Sequence, residues 1–178
     1  MTNSLIEYIH LGGYVMYILV FLNIVGLSIM LYKIIELKLA YKKSSNNIQQ
    51  IYNKSKEEVD NREFVKDYLY QQASKKLLSY EFGMNTIKII ATIAPILGLL
   101  GTVIGVLDAF TTISKTGLGG GANAFASGIS LALITTIGGL VVALPHYIGY
   151  NYLIGMLTKL ETLYEEHLIK KLMHEKIS

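Results

Sequence analysis

Two long apolar stretches constrain this chain most, because they carry Gly, Thr and Pro where a lipid-facing helix would carry Leu. The first reads Ile90-Ala91-Thr92-Ile93-Ala94-Pro95-Ile96-Leu97-Gly98-Leu99-Leu100-Gly101-Thr102-Val103-Ile104-Gly105. The second reads Ala132-Leu133-Ile134-Thr135-Thr136-Ile137-Gly138-Gly139-Leu140-Val141-Val142-Ala143-Leu144-Pro145. Small residues inside an apolar helix let backbones approach, so such segments are built to pack on other helices. Hydroxyls at their middles suggest a polar path through a bilayer. Charged residues make up 16% of the 178 residues, against about 25% in soluble domains. Together with 52% hydrophobic residues, this places the chain among all-α integral membrane proteins.

Three spans are expected, at roughly 12–35, 86–113 and 122–157, within one membrane domain covering 1–178. About 20 residues cross a hydrocarbon core, so the second and third spans are long enough to continue into water. No Lys or Arg precedes the first apolar run and no small-residue cleavage site follows it, so it reads as a retained span. Basic residues set the topology. The 36–85 loop holds Lys38, Lys42, Lys43, Lys54, Lys56, Arg62, Lys66, Lys75 and Lys76, and the 158–178 tail holds Lys159, Lys170, Lys171 and Lys176. The turn Thr116-Gly117-Leu118-Gly119-Gly120-Gly121 is flanked only by Lys115. Basic segments stay cytoplasmic, so the N-terminus and this turn are expected outside, and the loop and tail inside.

The loop is patterned. Ser44-Ser45-Asn46-Asn47 suits a helix start. Beyond it Ile48, Ile51 and Tyr52 recur at helical spacing, as do Phe64, Val65, Tyr68, Leu69, Ala73, Leu77 and Leu78. The tail repeats the pattern with Leu160, Leu163, Tyr164, Leu168 and Leu172. These are amphipathic cytoplasmic helices that pack on the extensions of the spans or shape a ligand site. No internal repeat and no separate soluble domain is evident.

Catalytic signatures are missing. Gly98-Leu99-Leu100-Gly101-Thr102 lacks the Lys-Ser/Thr of a phosphate loop. His10, His146, His167 and His174 form no metal pair by spacing, and the chain has no Cys. No cofactor, metal or enzymatic activity is expected, and without a basic block no nucleic-acid partner. The interest lies in two stripes: Gly98, Gly101, Thr102, Gly105 and Ala109 on one span, and Ala132, Thr136, Gly139 and Ala143 on the other. Counting inward from the outer boundary puts Thr102 and Thr136 at about the same depth. In several copies around an axis they would form a polar ring; alternatively each bonds its own helix and merely packs. Asp108, nearer the outer end, is either a functional acid or an interfacial residue solvated from outside. A hydroxyl orients or relays a proton but does not store one. A proton-conducting role would therefore need a carboxylate from another chain.

Ile93–Gly105 with Asp108-Ala109-Phe110, and Thr136–Pro145, closely resemble the ExbB/TolQ family of inner-membrane proton-channel subunits, more distantly related to flagellar MotA. The resemblance implies a homopentamer in the bacterial inner membrane around a dimer of a single-span partner, ExbD or TolR, which carries one membrane Asp. Proton-motive force would drive this motor, whose work reaches the outer membrane through TonB or TolA. It implies that Thr102 and Thr136 line the pore, and that Pro95, Gly98, Gly101, Gly105, Gly139 and Pro145 serve packing and kinks. Some relatives carry Glu five residues before the second threonine; here that position is Leu131, so the role of that Glu does not carry over. The competing expectations are a flagellar-stator-like subunit, which would need a fourth span and rotor-facing charges, and a non-conducting membrane scaffold.

Overall fold

The computed structural model describes residues 2–58 and 62–177, and the side chains of 6–55, 64–115 and 125–173. The side chains of Lys56, Arg62, His174 and Lys176 lie outside the described residues. Everything described as regular structure is helical: α1 (Thr2–Leu11), α2 (Gly13–Lys42), α3 (Ser44–Glu58), α4 (Arg62–Glu81), α5 (Met84–Thr116) and α6 (Leu118–Ile177). Three of them, α2, α5 and α6, are long and apolar enough to cross a membrane. At 1.5 Å per residue, α6 alone measures about 90 Å, so the expected third span is part of a much longer rod.

Three breaks rest on glycine. Gly13 (φ 59°), Gly83 (φ 86°) and Gly117 (φ 72°) all adopt the left-handed conformation, which ends a helix without a Cβ clash. The sequence reading is extended at one of them and corrected at another. Gly12-Gly13 separates a distinct helix, α1, from the first span. The expected six-residue turn shrinks to Gly117, whose N–H closes on the Ile113 carbonyl at 2.9 Å; Gly119, Gly120 and Gly121 already belong to α6. Pro95 and Pro145 sit inside continuous helices. Each removes one backbone donor, a defect that apolar spans tolerate when neighbouring helices pack around it.

The chain divides into two compact units. One comprises Met1–Ser28 with Thr86–Gly149, the other Ile29–Asn85 with Tyr150–Ser178. In the first, Met16, Leu19, Ile90, Ala94, Val142 and Ala143 form a buried cluster. Here the outward face carries the bulk: Ile96, Leu99, Val103 and Leu107 on α5, and Leu133, Ile137, Val141 and Leu144 on α6, are all exposed. Where α5 meets α6, small residues face inward and large apolar ones outward, an arrangement suited to lipid or to other membrane helices.

In the second unit the large side chains face inward. Leu37, Ile48, Leu69, Leu153, Leu160, Tyr164 and Leu168 are essentially inaccessible. The expected stripes on α3 and in the tail are thus packed. On α4 the expectation needs narrowing. Val65, Leu69, Ala73 and Tyr80 are buried, but Phe64 and Leu78 are exposed, because at 3.6 residues per turn they fall on the opposite side from Leu69. A polar network accompanies this core. The Lys33 ammonium, 4% exposed, lies 2.6 Å from the Glu36 carboxylate and 5.7 Å from the Tyr32 ring centroid. Asn47 donates to the Tyr164 hydroxyl at 3.0 Å, and Tyr164 is also hydrogen-bonded to Tyr80.

Candidate functional site

The seam between α5 and α6 is the one place where the stripes read from the sequence meet. A Cβ on Gly98 would lie 2.8 Å from the Thr135 carbonyl oxygen and 3.1 Å from the Thr136 Cα. One on Gly139 would lie 2.6 Å from the Ala94 carbonyl oxygen. Gly105 faces Ala132 and the Gly128 carbonyl, and Gly128 faces Ala109. These pairings run antiparallel with backbone against backbone, the approach that only small residues permit. Real Cβ atoms essentially never sit as close as those at Gly98, Gly128 and Gly139 would, so these three glycines are fixed by packing.

The register refines the depth of the hydroxyls. Thr136 stands opposite Gly98, which puts Thr102 about one helical turn, about 5 Å, further toward the Gly117 end. Both threonines are half-buried. The Thr102 hydroxyl donates to the Leu99 carbonyl at 2.6 Å. That of Thr136 reaches across the seam to the Gly98 carbonyl at 3.4 Å, too long for a strong O–H···O bond. The two hydroxyls thus stand about one turn apart along the seam and bond to different carbonyls.

Thr135 is the residue that the sequence reading passed over. It is 1% exposed, its side chain fills the space opposite Gly101, and its hydroxyl donates to the Ala132 carbonyl at 2.8 Å or to the Gly98 carbonyl at 3.2 Å. With one proton it satisfies one acceptor at a time. Three hydroxyls thus mark this stretch of the seam, and Thr135 is the one sealed inside it.

At the end of the seam near Gly117, an open depression of about 550 Å³ is lined by Asp108, Thr111, Thr112, Lys115, Ser127 and Leu131, among others. Asp108 is exposed there. It shares this depression with Leu131, the position where a carboxylate was missed. Phe110 and Phe125 stack edge to face close by, 5.8 Å between centroids.

Two histidines prove less isolated than their spacing suggests. The His10 ring shares a 2.8 Å hydrogen bond with the Tyr17 hydroxyl. His146 is fully buried, with Nδ1 2.7 Å from the Val142 carbonyl and Nε2 without a partner. Its ring lies in a notch at Gly26, which leaves no room for a Cβ beside Nε2. Nothing in the neighbouring sequence signals this, because the notch is on another helix.

A family model described as the MotA/TolQ/ExbB proton channel family matches residues 35–166. The chain belongs to this family. The match takes in the whole α5–α6 seam. Similar proteins include a biopolymer transport protein ExbB-like 1 of Helicobacter pylori, 27% identical over 165 residues, with 84% of this chain and 87% of that one covered. A biopolymer transport protein ExbB homolog of Methanothermobacter thermautotrophicus is 38% identical over 95 residues, 53% of this chain and 33% of that protein. The ExbB protein of Xanthomonas campestris is 34% identical over 96 residues, 54% of this chain and 38% of its own length. The chain thus spans about a third of the latter two and most of the first. With three helices fit to cross a bilayer, this family member is a multi-pass membrane protein.

Proposed function

We propose that the chain is the wall-forming subunit of a proton-driven motor of the ExbB type. The observation that carries this reading is the α5–α6 seam. It holds three hydroxyls against tightly packed backbone, yet α5 from 89 to 107 and α6 from 125 to 145 contain no ionisable side chain. Such a wall can orient a proton and its water but cannot store the proton. The carboxylate then comes from a single-span ExbD- or TolR-like partner, enclosed by five copies of this chain. Large exposed apolar side chains on α5 and α6 supply surface for those neighbours.

In this reading the N-terminus and Gly117 face the periplasm, and α3, α4 and the far part of α6 extend into the cytoplasm as parts of one functional domain. Thr102 and Thr136 border the pathway, with Pro95, Gly98, Gly101, Gly105, Gly139 and Pro145 setting the wall's curvature and closeness. Asp108 offers a carboxylate at the outer mouth, in the depression that Leu131 leaves without one. The released energy serves a TonB- or TolA-like protein and, through it, the outer membrane.

The experiment is proton flux into liposomes holding this chain and its partner. Thr102→Val combined with Thr136→Val should cut flux at least about tenfold, equivalent to about 1.4 kcal/mol on the barrier, while the complex still assembles. Unchanged flux would remove the pathway assignment. It would favour a packing scaffold, for which the short Thr102 bond to its own helix speaks.

A further inference from the structure

Two aromatic rings that conduction does not use stand exposed where α2 passes from apolar to charged sequence and where α4 gives way to α5. Along α2, residues 14–32 carry no charged side chain. They measure about 28 Å at 1.5 Å per residue, close to the ~30 Å of a hydrocarbon core. From Lys33 onward the pattern changes, with Lys33, Glu36, Lys38 and Lys42 in the remaining stretch of the helix. Lys33 therefore marks one edge of the bilayer on α2, and Tyr32, the residue before it, is exposed.

The elbow between α4 and α5 lies at that same level. Gly83 turns the chain there (φ 86°), and a Cβ on it would sit 3.5 Å from the Lys33 Cε and 3.7 Å from the Ile29 Cγ2. The turn leaves Phe82, the preceding residue, 85% exposed. Leu78, one turn back on α4, is exposed as well. An apolar ring held out this far adds little to the core of its own unit. Its neighbours in the chain show which surroundings suit it. Met84, two residues on, begins a helix fit to cross a membrane, and residues 89–107 of that helix have no ionisable side chain. Glu81, the residue before Phe82, is exposed, and a carboxylate belongs in the hydrated headgroup layer rather than among acyl chains. Lys88 on α5 is long enough to reach the same layer from just inside the span. Aromatic rings concentrate at this boundary, where one side is apolar and the other wet.

We propose that the α4–α5 elbow is a membrane anchor. Phe82 seats between the headgroups and acyl chains of the leaflet on the side of the second unit, level with Tyr32, and so fixes the height of that unit at the bilayer. The partner is the lipid surface itself. Phe82 lies outside the span expected at 86–113, so membrane contact begins earlier in the chain than apolar length alone indicates. This anchor rests on the bilayer placement given above, with the second unit in water, and not on conduction.

The chain has no Trp, so a single introduced Trp reports on its own surroundings. Three variants of the full chain in lipid discs make the test. Phe82→Trp probes the elbow, and Phe21→Trp the middle of the charge-free part of α2. Phe64→Trp probes the far end of α4, about 27 Å from Phe82 along the helix. All three phenylalanines are exposed, so the larger ring is accommodated without repacking. The discs contain phosphatidylcholine brominated either near the headgroup end of its acyl chains or near their middle, and the readout is loss of Trp emission. Phe82→Trp should be quenched more by the shallow bromines than by the deep ones. Phe21→Trp should show the reverse order, and Phe64→Trp should be quenched by neither. If Phe82→Trp is untouched by both lipids while Phe21→Trp is quenched, the anchor is overturned. Red-shifted emission would then mean water around the elbow, and blue-shifted emission a second copy of this chain packed on it. Stronger quenching of Phe82→Trp by the deep bromines also overturns it, as does equal quenching of Phe64→Trp, which would mean unspecific lipid contact. Loss of quenching in Phe21→Trp would remove the bilayer placement, and the anchor with it. None of these outcomes depends on proton flux.

Discussion

The two units solve the same packing problem with opposite materials. In the first, α5 and α6 meet through Gly98, Gly101, Gly105, Gly128 and Gly139, and the bulk is turned outward. In the second, the interior is filled by Tyr164 and five leucines, with a polar network among them. The helix α6 contributes residues to both. In the proposed topology, with the first unit in lipid and the second in water, the difference follows from the solvent. In lipid, burying Leu gains almost nothing, because the tails are as apolar as the side chain, and close van der Waals contact between backbones becomes the attraction. In water, removing large apolar surface dominates at about 25 cal/mol per Å². Hydroxyls and amides inside that core are then acceptable once paired.

The strongest way to break the comparison is to remove bulk where bulk is the mechanism. Tyr164→Ala should destabilise the second unit by about 3–5 kcal/mol, the usual cost of emptying an aromatic core position, read as a lowered melting temperature in detergent. A loss below about 1 kcal/mol would mean that this core is not what stabilises the unit. The next test adds bulk where its absence is the mechanism. Gly139→Ala puts a methyl 2.6 Å from a backbone oxygen, with no flexible side chain to yield, and should cost about 1–3 kcal/mol. The same change at Gly155, sixteen residues on in α6 with open space around it, should instead stabilise by about 0.5–1 kcal/mol, because Ala is the better helix former. Equal effects at the two positions would erase the distinction between the units.

Much of this was legible in the residue pattern, and the parts that were not share a cause. The spans follow from apolar length, and the stripes of Gly98, Gly101 and Gly105 from spacing. The choice between Thr135 and Thr136 did not, because Ala132 and Gly139 lie three or four residues from either, so both fit one helical face. Only contact with Gly101 selects Thr135 for the seam. The notch at Gly26 for His146 was hidden for the same reason: its two halves lie on different helices. Helix α1 was missed because the sequence reading began the first span at about residue 12 and assigned no element to the ten residues before it. Lys33 did carry a local signal, a carboxylate three residues later, which lets a cation be buried at the end of an apolar run.

The mildest test concerns charge, and it again separates the units. Burial raises the Tyr80 hydroxyl from 10.0 to about 12, helped by Tyr164, which lies in hydrogen-bond contact, and by the Glu36 carboxylate. The fold therefore favours the protonated phenol. Its contribution to stability is complete below pH 10 and fades as the pH climbs from 10 toward 12. Ionisation there would place a phenolate beside Glu36 and turn a donor into an acceptor next to the Tyr164–Asn47 bond. The second unit should thus loosen over that interval, seen as faster amide exchange in α3 and α4. The part of the α5–α6 seam formed by residues 89–107 and 125–145, which has no ionisable side chain, should keep its protection through the same interval. Tyr80→Phe should abolish the alkaline step at the cost of about 1 kcal/mol for one lost hydrogen bond. If the step persists in that variant, another group controls it, and the polar network does not set the alkaline limit of this core.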